Sequence, residues 1–203
     1  LAASGARGLG PADHVTLTRA TLACGVAAMT VNSFSQPASA APLVGIAALA
    51  LLLDAVDGWV ARRTGTASAL GARFDMEVDA FLVLVLSVYV AREAGWWVLA
   101  IGLARYALLG ASALVPWLRG TVPARRWRKV VAAVQGIVLT VAASSLLPDA
   151  VNRVALLAAL VLLATSFGTE VAERRRDSLP EPEAERVAPD VVADGGQALG
   201  VGP

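Results

Sequence analysis

The 203-residue chain is short of charge, cysteine, histidine, lysine and aromatic side chains. Charged residues make up 16% against 57% hydrophobic, a balance that excludes an ordinary soluble domain of this length and points to a membrane protein. A single cysteine, Cys24, excludes an internal disulfide. With one histidine, His14, beside it in the count, the soft ligand sets of zinc and copper sites are excluded as well. Cys24 therefore reads as a small apolar residue in a helix, and His14 as an interfacial one. Lys129 is the only lysine among 17 basic residues, and with abundant Ala and Val this arginine bias hints at a GC-rich bacterial gene. The net charge of +1 says little about partners, since position matters more than the total, and no nucleic-acid partner is expected.

What the chain does contain is long apolar runs. A helix needs about 20 mostly apolar residues to cross a bilayer core. Six stretches meet that length, near 15–34, 41–60, 73–91, 96–118, 130–147 and 151–171. Segments such as "SQPASAAP", "RRTGTASALG" and "RGTVPARRWR" separate them with turn formers or charge. The fold class expected is thus an all-α integral membrane protein with six transmembrane helices. The first run is too long for a signal peptide and lacks a cleavage site, so it reads as a retained span. Residues 1–14 form an N-terminal segment, 15–171 the membrane domain, and 172–203, rich in Pro, Glu and Gly, a disordered tail.

Orientation follows from the arginines. Arg7 precedes the first run. Arg62, Arg63 and Arg73 lie between the second and third, Arg119, Arg125, Arg126, Arg128 and Lys129 between the fourth and fifth, and Arg174, Arg175, Arg176 and Arg186 after the sixth. The alternate loops hold no base, Arg92 alone, and Arg153 alone. The positive-inside bias puts both termini and the loop after Arg62 in the cytoplasm, as an even span number also requires. Trp96, Trp97 and Trp117 at span ends, with Trp59 and Trp127 close by, suit interfacial anchoring.

Against this background the stretch 51–81 gathers Asp54, Asp57, Asp75, Glu77 and Asp79. An acid within a bilayer costs a few kcal/mol, on the order of 3, so several in adjacent spans must face a polar cavity or a cation. Asp54 and Asp57 are three residues apart and Asp75 and Asp79 four, so each pair projects from one helix face. A short loop makes the two spans antiparallel neighbours and brings the four carboxylates together near the inner leaflet. Carboxylates so close need counter-charge, and hard divalent cations such as Mg²⁺, with oxygen ligands and substrate phosphates, supply it. Gly58 and Ala61 clear side chains for a bulky polar ligand, while Arg62 offers a guanidinium to phosphate. Thr64, Thr66 and Ser68 add hydroxyls, and Gly71 lets the third helix begin close to a ligand.

Written as D-x-x-D-G-x-x-A-R, eight residues, then G-x-x-x-D-x-x-x-D, the pattern is filled by Asp54, Asp57, Gly58, Ala61, Arg62, Gly71, Asp75 and Asp79 without departure. It resembles the signature of the CDP-alcohol phosphatidyltransferases, and the likeness extends over residues 11–171. The resemblance implies a six-helix membrane enzyme, a homodimer, with two Mg²⁺ or Mn²⁺ ions. By that analogy Asp54, Asp57, Asp75 and Asp79 hold the metals and Asp79 is also the base. Gly58, Arg62 and Ser68 contact the CDP group of CDP-diacylglycerol, with Gly71 beside them. "PADHVTLTR" is similar to a segment lining the cytidine pocket, which adds Asp13 and Thr16. The implied reaction moves a phosphatidyl group to a polar alcohol acceptor and releases CMP at the cytoplasmic face of a bacterial inner membrane. The acceptor is left open: relatives making phosphatidylglycerophosphate or cardiolipin continue D-P-x-A-D-K, whereas Met76 and Ala80 stand here.

Outside the pattern, Glu77 points away from Asp75 and Asp79 and reads as a solvated or helix–helix residue. Arg105, alone in the fourth span, is expected to face the interior, pairing with an acid of this stretch or binding substrate. Arg126, Lys129 and Gln135 are candidates for the acceptor. Two other functions fit an acid-rich membrane helix pair. A prenyltransferase would need a second aspartate-rich motif and a longer chain, and a cation transporter would spread acids across several spans.

Overall fold

The computed structural model describes residues 11–36, 39–64, 69–115 and 126–177, all helical apart from short turns, with no strand among them. Six helices follow in order: α1 (Pro11–Asn32), α2 (Ala40–Thr64), α3 (Ala69–Ala94), α4 (Leu99–Leu114), α5 (Arg126–Ala143) and α6 (Asp149–Asp177). A single 3₁₀ turn, Trp96–Val98, leads into α4.

Each expected apolar run becomes one helix, but the ends differ. α1 begins at Pro11, a residue suited to the first helical position because its missing N–H would have no partner there. α2 and α3 continue through the charged stretch expected to be loop, so Arg62, Arg63 and Thr64 are helical and Gly71 lies in the first turn of α3. Residues 173–177, expected to begin a disordered tail, prolong α6. The Glu170–Arg174 ion pair, 2.5 Å and one turn apart, supports that extension. Among the described residues two helical stretches, Trp96–Leu114 and Asp149–Arg175, are by length and composition long and apolar enough to cross a membrane. Ala40–Val56 and Val130–Ala143 are shorter apolar stretches within α2 and α5.

The chain wraps its apolar surface outward. Leu49, Leu52 and Val56 on α2, Leu103 and Leu109 on α4, and Val154, Leu157 and Val161 on α6 are all exposed. A soluble protein does not carry such stripes on several helices, whereas lipid tails cover them at no cost. Inside, Val26, Leu82, Leu86, Val98, Leu139 and Leu156 are fully buried, interleaved with Ala23, Ala47, Ala50, Ala91 and Ala159. Small residues serve helix association in lipid because close backbone approach replaces the missing hydrophobic driving force.

α1 packs against both α2 and α3, and among the described residues α2 and α3 meet each other less than either meets α1. α3 turns its other sides to α4 and α5, and at the level of the aspartates α2 and α3 come together, Asp54 meeting Asp75 and Asp79. α3 ends at Gly95, whose φ of 111° lies where a side chain would be strained. Arg92, one turn earlier, donates to Ser33 Oγ at 2.6 Å and lies over the Phe34 ring, 4.8 Å from its centroid. This contact closes the end of the bundle away from the acids.

Gly102 of α4 sits against α3 so closely that an added Cβ would fall 2.7 Å from the Leu84 Cα and collide with Ser87 Oγ. At Gly136 the corresponding obstacle is only the Leu51 Cδ2 methyl, at 2.7 Å. Backbone cannot yield as a methyl can. Gly102→Ala is therefore expected to destabilise the protein by about 1–3 kcal/mol, and Gly136→Ala by clearly less. Unfolding midpoints in detergent check the order.

Candidate active site

The site is built where three helices meet around one cation. Asp54 comes from α2, Asp75 and Asp79 from successive turns of α3, and Arg19 from α1. One carboxylate oxygen from each aspartate lies within 4.8 Å of the others. Arg19 enters this space from the packed side of α1 and is the largest fully buried side chain among the described residues. Its Nη1 lies 3.1 Å from Asp54 Oδ1 and donates to Asp75 Oδ1, its Nη2 donates to Asp79 Oδ1, and its Nε donates to the Ala50 carbonyl at 3.2 Å.

This geometry has two sides. The Arg19 side chain is 1% exposed, while those of Asp54, Asp75 and Asp79 are 37%, 29% and 30% exposed. The guanidinium backs the cluster from within the bundle, and the carboxylates open toward the outside. Among the described side chains three carboxylates face one guanidinium, an excess of negative charge that a divalent ion would answer. Burying such a group without full compensation is costly. The donor set is oxygen only, as hard cations prefer. A divalent metal therefore fits these residues on charge and donor chemistry.

Other expected residues divide into those the structure places and those it does not. Thr16 is buried on α1, one turn before Arg19 and on the same face. Gly71 is in α3, one turn before Asp75. Asp57, Gly58, Ala61 and Arg62 are in α2, but their side chains lie outside the described residues, as do those of Asp13, Arg126 and Lys129. Ser68 and Thr66 lie outside the described residues altogether.

Glu77 points away from the aspartates and pairs with Arg105 Nη2 of α4 at 2.5 Å. It thus joins two helices, and Arg105 meets the one acid of the stretch outside the pattern. Gln135 is buried and donates from Nε2 to the Ala159 carbonyl at 2.8 Å, linking α5 to α6. Its neighbour Gly136 touches Leu51, one turn before Asp54, so Gln135 lies near the level of the cluster.

Spacing arguments miss Arg19. The signal available is its placement: a base well inside the first apolar run is expensive in a membrane unless an acid answers it, and "PADHVTLTR" ends on it.

A protein that is helical throughout its described residues, apolar on its exterior, and carries an oxygen-only cluster from α2 and α3 able to hold a cation is the class that fold and site define. A sequence model of the CDP-alcohol phosphatidyltransferase family matches residues 11–166, from the first residue of α1 into α6, and the chain belongs to that family. Membership makes it a transferase of phospholipid biosynthesis, in a family that uses divalent metal. No curated protein matches the sequence significantly.

If the three aspartates hold the metal, each is needed for it. Affinity for a hard cation falls with the number of charged oxygen ligands, so Asp54→Asn and Asp75→Asn should each weaken Mn²⁺ binding by about tenfold or more. Glu77→Gln, on the far face of α3, should leave it nearly unchanged. Paramagnetic titration of the purified protein distinguishes the two groups.

Proposed function

We propose that the protein transfers the phosphatidyl group of CDP-diacylglycerol to the hydroxyl of a polar alcohol and releases CMP. The observation that carries this reading is the convergence of Asp54, Asp75 and Asp79 in a chain of this family.

In this reading Asp54, Asp57, Asp75 and Asp79 hold two divalent ions, Mg²⁺ or Mn²⁺, which when bound neutralise charge on the diphosphate and on the departing nucleotide. Gly58 leaves room beside α2 for the cytidine diphosphate, Arg62 pairs with its phosphate, and Ser68, Gly71 and Thr16 complete the nucleotide side. Asp79 removes the proton from the acceptor hydroxyl. The oxygen so freed attacks the lipid-bearing phosphorus, the bond from that phosphorus to the bridging oxygen breaks, and CMP leaves with the bond's electron pair. The products are a phosphodiester lipid and CMP.

The arrangement suits an enzyme at a membrane surface. Nucleotide and alcohol approach from water while the acyl chains stay in lipid along the apolar exterior of α2, α4 and α6. The arginine distribution supports six spans, cytoplasmic termini and a site at the inner face of a bacterial membrane. A homodimer is the assembly expected for the family.

The test is CMP release from CDP-diacylglycerol by the purified protein with Mg²⁺ across a panel of polar alcohols, glycerol phosphate, phosphatidylglycerol, inositol phosphate and serine among them. Turnover with one acceptor, abolished by chelation, is expected. Asp79→Asn should lower it by about 10²–10⁴-fold, the usual worth of a general base. No turnover from folded protein with any acceptor would reject the reading, and full turnover by the variant would remove Asp79 as base.

A further inference from the structure

Arg19 holds the same three carboxylates that a metal would use. We infer that Arg19 is a built-in competitor of the divalent ion: it engages Asp54, Asp75 and Asp79 and lowers the affinity of the site for its metal.

Geometry carries this. One guanidinium spans all three aspartates, engaging an Oδ1 atom of each with its two terminal nitrogens. Its Nε is fixed to the Ala50 carbonyl, one turn before Asp54 on α2, so the group cannot swing far from the cluster. It also has no route to water, being fully buried in the packing of α1 on α2 and α3. An arriving ion must then share the carboxylates with a fixed positive charge a few ångströms away, and like charges at that range repel strongly.

The opposite role, a guanidinium that prepares the site and strengthens metal binding, needs Arg19 to create the convergence of the three acids. The backbone already does that. Asp75 and Asp79 share a face of α3 through their spacing, and Asp54 is brought to them by the packing of α2 and α3 along α1. Removing the guanidinium takes away the positive charge these three carboxylates share, which makes them a stronger trap for a divalent cation than the same acids with Arg19 in place. The prediction's sign follows from this.

The inference rests on the divalent-ion reading of the aspartates and not on the transfer reaction. Its test uses Mn²⁺ alone, with the full chain in detergent or nanodiscs, comparing the wild type with Arg19→Met and Arg19→Lys. Without metal, Arg19→Met should unfold at a lower temperature than wild type. Its Mn²⁺ affinity should rise by about tenfold or more, as expected when a neighbouring positive charge is removed, and Mn²⁺ should raise its unfolding temperature more than it raises that of the wild type. Arg19→Lys keeps the charge on a single donor group that cannot span three carboxylates, and should bind Mn²⁺ with intermediate affinity. If Arg19→Met does not fold, the lysine variant decides. An affinity equal to or below that of the wild type in a folded variant overturns the inference and leaves the metal site standing. Absence of Mn²⁺ binding in the wild type and both variants overturns the metal reading itself, and this inference with it.

Discussion

A buried guanidinium shared by three aspartates is the interaction on which the rest of this molecule depends. Apolar side chains gain little from one another inside lipid, because the tails around them are as apolar as they are. Specific helix arrangement must then come from close backbone packing and from polar groups that cannot be left alone. Arg19 and its partners supply the second. They bind α1 to α2 and α3 at one level, and they explain why α1 lies along both helices of the acidic hairpin. A buried ion pair that loses one partner is destabilised by about 3–5 kcal/mol, and the partial exposure of the aspartates moderates that figure here.

The remaining polar contacts are placed so as not to compete with this one. Glu77 leaves α3 on the side away from the cluster and is answered by Arg105 of α4. Arg92, Ser33 and Phe34 tie α3 to the end of α1 at the opposite end of the bundle. Near that same end Trp97 Nε1 donates to the Ala94 carbonyl at 3.0 Å, keeping its indole beside the turn at Gly95. Between the two polar levels the interior is filled by leucine, valine and alanine, and α3 and α4 touch closely enough at Gly102 to exclude a methyl group. The acidic site is thus held on packed helices, which suits chemistry that depends on fixed distances between charged groups.

Much of this was legible in the residues. Apolar length located the six helices, and the spacing of Asp54, Asp57, Asp75 and Asp79 on helical faces, with Gly58, Ala61 and Arg62 between them, pointed to the family the chain belongs to, while Asp54, Asp75 and Asp79 converge in the structure. Two things were not legible, each for a physical reason. Helix ends went astray at Arg62–Thr64 and at 173–177 because charge marks the limit of the lipid and not the limit of a helix. Arg19 escaped because spacing arguments look along one helix, while its partners lie 35, 56 and 60 residues away on two others.

The central claim is that Asp54, Asp75 and Asp79 receive divalent metal at the face they turn away from Arg19. Anomalous diffraction at the manganese edge, from crystals of the full chain grown with Mn²⁺, tests it most directly. Anomalous density bounded by these three carboxylates, with Arg19 behind them, is the predicted result. Manganese bound elsewhere, with these carboxylates still closed on Arg19 in an active preparation, would contradict it.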